Sequence, residues 1–224
     1  MNVKRPGRQR GQRLTRAESQ AQTRVRLIEA ACEVFQRRGY YAATIEEIVD
    51  AAGYSRGAFY ANFSDKGDLF LAVLDQQRER QFGTLADQID EAQDSEILPA
   101  LRSWFSKMLS GPLERATAEF RLVAADNPEH RRRLAQHVGA MREVTARMVT
   151  HYCERHEVEL TVNHDVFAAM VVATMAGFAD QLRLDPGAVT LETVGLALTA
   201  LWDGTTSERK NPEPQRRTTH SAAR

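Results

Sequence analysis

Apolar residues recur three and four positions apart along most of this chain, which is the spacing of amphipathic α-helices. The first such segment runs from Thr23 to Arg38, and one face of it carries Leu27, Ile28, Ala31, Val34 and Phe35. Further helices are predicted at Lys66 to Glu91, Ile97 to Leu109, around Phe120, and at Pro128 to Arg155. No segment alternates with the two-residue period of a strand. The pattern therefore predicts an all-α protein of about nine helices.

Residues 44–66 predict two short helices joined by a sharp turn. Thr44 and Glu47 have the spacing of a capping box, which begins a helix. Gly53 supplies a residue that adopts positive φ just past the end of that helix, and Ser55 is the expected N-cap of the next one. Two helices joined by a short turn that contains glycine form a helix-turn-helix, the motif that reads DNA in many regulators.

The second helix of this motif has the composition of a helix that enters the major groove. Phe59 and Phe63 share its inward face, which leaves small and polar residues outside. Arg56 can donate two hydrogen bonds to a guanine edge, whereas Tyr60 and Lys66 are expected to reach phosphate oxygens. The predicted DNA-binding residues are Thr44, Tyr54, Ser55, Arg56, Gly57, Ala58, Tyr60, Asn62 and Lys66, with Arg10 and Arg13 of the N-terminal segment.

The segment from Ala30 to Leu74 closely resembles the N-terminal domain of the tetracycline-repressor (TetR) family of bacterial transcription regulators. The matching residues are, in order, Phe35, Gly39, Thr44, Gly53, Ser55, Gly57, Phe59, Tyr60, Phe63, Lys66 and Leu69. Two residues depart from the common pattern, since Asn62 stands where an aromatic residue or histidine is frequent and Gly67 where glutamate is frequent. The resemblance implies a DNA-binding domain over residues 23–75 and a helical domain for ligand binding and dimerisation over residues 76–203.

The resemblance also implies a small-molecule cavity in the second domain. The candidate lining residues are Trp104, Phe105, Met108, Phe120, Met141, Met148, Met170 and Phe178. Methionine and aromatic residues at helical spacing are also typical of an ordinary core, so both interpretations stay open. The sequence does not name the effector, and no cofactor is expected.

The last two predicted helices are apolar on every side, from Val166 to Phe178 and from Leu191 to Trp202. A helix that is apolar all round must be buried all round, and a second subunit is one way to cover the far face. In the resembled family these two helices form a four-helix dimer interface. The expected interface residues are Phe167, Val171, Thr174, Met175, Val194, Leu198, Leu201 and Trp202, and burial within a monomer is the alternative.

Charge is balanced overall but uneven along the chain. The formal net charge is zero, with 30 basic and 30 acidic residues. Residues 1–26 hold eight Lys or Arg and one Glu, whereas residues 27–75 hold four basic and eight acidic residues. Residues 1–22 are therefore predicted to be a disordered basic arm that binds the minor groove or the phosphates, or else only solubilises the chain. Residues 204–224 are predicted to be a disordered tail.

Other protein classes are disfavoured. No apolar run is judged long enough to cross a membrane and the basic N-terminus is not a secretory signal, so a cytoplasmic protein is expected. His151, Cys153, Glu154 and His156 lie on one helix, but the histidines are five positions apart, unlike the i, i+4 pair of a helical zinc site, so no metal is expected. Nucleophile, base and orienting acid do not occur together in a recognisable context, so no enzyme is predicted.

The sequence therefore predicts a homodimeric transcriptional regulator, most simply a repressor that binds a palindromic DNA operator and is released by a small-molecule effector. One alternative is a regulator without a ligand, or an activator. Another is a helical protein-interaction module whose helix-turn-helix is vestigial, against which the residues Arg56, Gly57, Tyr60 and Lys66 argue.

Overall fold

The computed structural model describes residues 15–91, 109, 111–185 and 187–208. The chain divides into two compact units, Met1–Gly139 and Ala140–Arg224. The described residues form eight helices and two short strands: α1 (Arg16–Ala42), α2 (Ile45–Ala52), α3 (Arg56–Tyr60), α4 (Lys66–Glu91), α5 (Glu114–Asp126), α6 (Pro128–His156), β1 (Val158–Leu160), α7 (His164–Leu184), α8 (Leu191–Thr205) and β2 (Thr206–Glu208). The all-α prediction is confirmed. The helix predicted at Ile97 to Leu109 lies almost wholly outside the described residues.

Helix α1 begins earlier than predicted. Thr15 and Glu18 form a capping box, in which the Thr15 hydroxyl accepts from the Glu18 amide and the Glu18 carboxylate accepts from the Thr15 amide. The prediction of a disordered arm over residues 1–22 is therefore wrong for residues 15–22, which are capped and helical. The remainder of the arm, with Arg10 and Arg13, lies outside the described residues.

The core of the first unit is an aromatic cluster contributed by α1, α4 and α5. The Phe35 ring meets the Phe70 ring edge-on with centroids 4.8 Å apart, and Tyr40 lies 5.0 Å from Phe120. All four rings are buried, which is worth roughly 1.5–3 kcal/mol for each large apolar side chain. Gly39, at φ 76°, breaks the helical path of α1 and turns the chain so that Tyr40 enters this cluster.

The second unit pairs α7 with α8 and adds a short β-ribbon. Strands β1 and β2 are antiparallel, from Val158 opposite Glu208 to Leu160 opposite Thr206. The prediction of no strand is wrong here, because a three-residue strand is too short to show a two-residue period. The predicted disordered tail is likewise wrong for residues 204–208, while residues 209–224 lie outside the described part.

Helix α7 is long and apolar enough, by length and composition alone, to cross a membrane. The prediction that no apolar run reaches this length is therefore wrong on those two criteria, which the core helix of a soluble protein also meets. Only 28% of its most apolar stretch is buried inside this chain. The rest of that stretch is half-buried or exposed in the described part of the chain.

Candidate nucleic-acid interface

Helix α2 is fixed at both ends by the predicted caps. The Thr44 hydroxyl accepts from the Glu47 amide at 3.1 Å, and the Glu47 carboxylate accepts from the Thr44 amide at 3.2 Å. Arg38 also donates to Glu47 at 2.6 Å, and this contact, the first of several, lowers the pKa of Glu47. Gly53, at φ 73°, ends the helix in the left-handed conformation as predicted. Thr44 is one of the predicted DNA-binding residues, and both its amide and its hydroxyl are already bonded within the cap.

Helix α3 presents its outer face as predicted. The Ser55 hydroxyl caps it by accepting from the Ala58 amide at 3.3 Å. Phe59 and Phe63 are buried beneath it, while Arg56 and Gly57 are exposed and Tyr60 is 52% exposed. Ala58 and Tyr54 are half-buried, and Tyr54 packs against the core of the first unit. A methyl group at Gly57 would meet only the Ser55 hydroxyl, at 3.6 Å, so the fold itself does not require glycine there.

Arg56 lies between an acidic and an aromatic neighbour on this exposed face. Its Nη1 is 2.6 Å from the Glu46 carboxylate, and its Nη2 donates to the Tyr60 hydroxyl at 3.5 Å. The Tyr60 hydroxyl and the Glu46 carboxylate both raise the pKa of Arg56, so the guanidinium stays charged at every working pH. A charged guanidinium that is held in position on the outer face of α3 can make a bidentate contact with guanine.

The end of α3 is held by its own cap and by α1. The side-chain amide of Asn62 donates to the Ala58 carbonyl at 2.8 Å. Gln20 and Arg24 of α1 donate to the carbonyls of Ala61 and Asn62 at 3.3 and 2.9 Å, and the Arg24 guanidinium lies 4.3 Å from the Phe63 ring centroid. These contacts satisfy carbonyls that a helix end leaves without partners. An open groove lies at these contacts, and it is lined by Ala17, Gln20, Ala21, Arg24, Ala61 and Asn62.

Lys66 does not lie where a phosphate ligand was predicted. Its ammonium donates to the carbonyls of Tyr40 at 2.8 Å and Ala43 at 2.9 Å, with Tyr41 at 3.4 Å, and sits 4.6 Å from the Tyr40 ring centroid. An ammonium has three protons, so these carbonyls occupy all of its donors. Burial lowers the pKa of Lys66. We correct the prediction: Lys66 joins the start of α4 to the end of α1.

Gly67, which stands where the family commonly has glutamate, packs directly against the buried ring of His130. A methyl group at Gly67 would clash with the His130 ring, which is buried and fills the space where a side chain would project. Nε2 of His130 lies 3.1 Å from the Asp65 carboxylate, and that carboxylate also accepts from the Asp68 amide at 2.8 Å. Asp65 therefore caps α4, so the helix start is firm without the glutamate.

Two further contacts between basic side chains and carboxylates continue along the same side of α4. Arg133 of α6 binds Asp68, and Nδ1 of His137 lies 2.8 Å from the Asp75 carboxylate. The hydrogen bond from His137 is the main reason that the pKa of Asp75 lies below its usual value. Three basic residues of α6, at 130, 133 and 137, thus face three carboxylates of the segment that opens α4. No local sequence pattern indicates these contacts, since their two sides are more than 60 residues apart.

The predicted ligand-pocket residues fall into three groups according to their place in the structure. Trp104, Phe105 and Met108 lie outside the described residues. Phe120 belongs to the aromatic core of the first unit, so its assignment to a pocket is corrected. Four others are half-buried in the second unit: Met141, Met148, Met170 and Phe178. Their role in a cavity stays a prediction.

The predicted dimer interface is also revised by burial. Phe167, Val171, Met175 and Val194 are buried within their own chain and therefore offer no surface to a partner. Thr174, Leu198, Leu201 and Trp202 are half-buried, and the Trp202 ring packs edge-on against Phe167 with centroids 5.7 Å apart. The large apolar residues exposed on the same two helices are Val166, Leu184, Leu191 and Leu196.

Comparison with known proteins identifies the first unit. Residues 27–73 match the family model of bacterial regulatory proteins, tetR family, and this segment contains α2, α3 and their caps. The chain carries the DNA-binding domain of the TetR family. The HTH-type transcriptional activator FasR of Mycolicibacterium smegmatis is 51% identical over 73 residues, which are 32% of this chain and 32% of FasR. That match therefore spans about a third of the curated relative.

Two longer matches extend beyond the TetR-family domain. The HTH-type transcriptional repressor AcnR of Corynebacterium diphtheriae is 24% identical over 173 residues, covering 76% of this chain and 86% of AcnR. The transcriptional regulator FadR of Bacillus subtilis, solved in complex with stearoyl-CoA, is 20% identical with a TM-score of 0.63, covering 80% of this chain and 98% of FadR. The similarity to FadR shows a common fold. These relatives are regulators, which supports the prediction that the chain is not an enzyme.

Proposed function

We propose that this protein is a DNA-binding transcriptional regulator that binds a palindromic operator as a homodimer and is released by a small-molecule effector. The observation that carries the proposal is the exposed face of α3, where Arg56, Gly57 and Tyr60 project from a helix fixed at both ends. Such a helix presents a guanine-reading group with its backbone close to the groove floor. The TetR-family match supports this interpretation.

The homodimer is proposed from the uncovered surface of α7 and α8. Leu196 is 61% exposed, and most of the apolar stretch of α7 is not buried in this chain. A second copy of the same helices would cover both surfaces by two-fold symmetry, and a two-fold symmetric dimer addresses two DNA half-sites about 34–36 Å apart. Leu196→Glu is expected to give monomers in analytical ultracentrifugation, with Leu122→Glu, at an exposed leucine of the first unit, as the control.

The effector is proposed to act through α4, since its N-terminal part packs in the DNA-binding domain. An effector that binds better to a conformer with misplaced recognition helices shifts the population away from DNA binding. The FadR complex shows that a neighbour of this fold holds an acyl-CoA, so stearoyl-CoA is a suitable first probe. An activator is the second candidate, favoured by the 51% identity with the activator FasR.

The experiment is fluorescence anisotropy with the purified full chain and a duplex from upstream of its own gene. We expect this duplex to bind at least about 10³-fold tighter than a shuffled duplex at physiological salt, and Arg56→Ala to remove most of that ratio. Equal binding of both duplexes, fading alike with salt, would leave only the basic arm acting on that DNA. Candidate effectors are then titrated into the specific complex.

A further inference from the structure

Glu46 is an unexpected residue on a surface that meets DNA. The segment from Ile45 to Tyr60 carries three carboxylates and one basic side chain, Arg56. Duplex DNA presents one negative charge for about every 1.7 Å of its axis, so an exposed carboxylate on this surface is repelled. Glu47 is used in the cap of α2, but the Glu46 side chain is 54% exposed and faces Arg56, which is 60% exposed.

The contact between these two residues leaves both of them with capacity for a base. One oxygen of Glu46, Oε1, lies 2.6 Å from Nη1 of Arg56. Within the described part of the chain the second oxygen, Oε2, meets no donor, and a carboxylate accepts several hydrogen bonds. Arg56 has five N–H donors, of which Glu46 and Tyr60 occupy two, so enough remain for a bidentate guanine contact.

The major-groove edge of a G·C pair suits this pair of side chains. Guanine offers two acceptors, N7 and O6, and the cytosine paired with it offers one donor, its N4 amino group. The guanidinium binds the acceptors, and the carboxylate beside it accepts from the amino group. The amino groups of base edges are also the DNA groups that a carboxylate can approach favourably, whereas phosphates repel it.

We propose that Glu46 is a specificity-determining residue, whose carboxylate holds Arg56 in place and accepts a hydrogen bond from cytosine N4, so that the two side chains together read one G·C pair. This inference rests on the proposed DNA-binding function and adds a residue from α2 to the reading surface of α3. Glu46 also lies in the first turn of α2, where a carboxylate stabilises the helix dipole. A purely structural role of that kind would change stability but not base preference.

The test is binding-site selection from a randomised duplex pool with the full chain, followed by affinity measurements on single-base variants of the selected site. In the Glu46→Gln variant we expect discrimination at one G·C position to fall about fivefold or more, while affinity for a shuffled duplex rises. Asp50→Asn is the matched control, because it removes the same charge one helical turn away. It is expected to raise non-specific affinity equally and to leave base preference unchanged.

Combining Glu46→Gln with Arg56→Ala shows whether the two residues act together. We expect the loss of discrimination in the double variant to be smaller than the sum of the two single losses, because removing Arg56 takes away both its own base contact and the partner that holds the Glu46 carboxylate in place. Unchanged base preference in Glu46→Gln, with normal specific binding by the wild type, would overturn this inference and leave the proposed function standing. Absence of specific binding by the wild type would instead remove the proposed function.

Discussion

Replacing Lys66 by methionine separates a structural role from a phosphate-binding role. In the structure the ammonium bonds to the carbonyls of Tyr40 and Ala43 at 2.8 and 2.9 Å, and more weakly to Tyr41. A hydrogen bond to a charged group is worth about 1.5–3 kcal/mol. Lys66 is only half-buried and water can replace part of these bonds, so we expect a loss of about 2 kcal/mol in the free energy of unfolding.

Urea denaturation followed by circular dichroism measures this loss. With a denaturant slope of about 1–3 kcal/mol per molar, the midpoint should fall by about 1 M. The slope of log K against log salt for DNA binding should stay unchanged, because no phosphate contact is lost. Lys66→Arg, which keeps the charge, is the control for net charge. An unchanged urea midpoint with a salt slope about 0.9 smaller in magnitude would show that Lys66 binds phosphate and that our correction is wrong.

Three further predictions concern the same unit. Gly57→Ala should leave stability unchanged or raise it by up to about 1 kcal/mol, since its methyl group meets nothing closer than 3.6 Å, yet weaken operator binding in anisotropy; undiminished binding would contradict a close backbone approach. Gly67→Ala should lower stability by about 1–3 kcal/mol through the clash with His130, and His130→Ala should relieve part of that loss in the double variant; additive losses would argue against the contact. Because His137 lowers the pKa of Asp75, the pair stabilises the fold above the ordinary carboxyl pKa of about 4 and the effect disappears as pH falls below it. Asp75→Asn should therefore flatten the acid side of the stability profile, and a profile identical to that of the wild type would exclude this pair as a contributor.

The caps and the turn of the DNA-binding domain were predictable because each depends on residues within a few positions. Thr44 with Glu47, Gly53 and Ser55 all adopt the roles that their spacing indicates. The cap at Thr15 has the same threonine and glutamate spacing. The surrounding Arg, Gln and Gly residues nevertheless favour disorder, which is why the sequence predicts an arm where this helix begins.

Contacts between distant segments account for most of what the sequence did not predict. Nothing local to Lys66 indicates that three carbonyls more than 20 residues earlier will surround its ammonium. The pairing of Gly67 with His130 has the same character. The sequence of α7 is apolar on every side, so its pattern does not show which residues pack against the same chain and which remain exposed. The structure shows that Phe167 and Val171 are among the residues buried within the chain.

We propose that α3 reads a specific DNA sequence as part of a two-fold symmetric protein. This is tested by selecting binding sites from a randomised duplex pool with the full chain and then comparing the recovered duplex with a shuffled one at equal salt. We predict an inverted repeat with half-sites one helical turn, about 34–36 Å, apart, bound at least about 10³-fold more tightly than the shuffled duplex. A pool without a shared motif, and equal binding of both duplexes, would contradict the claim.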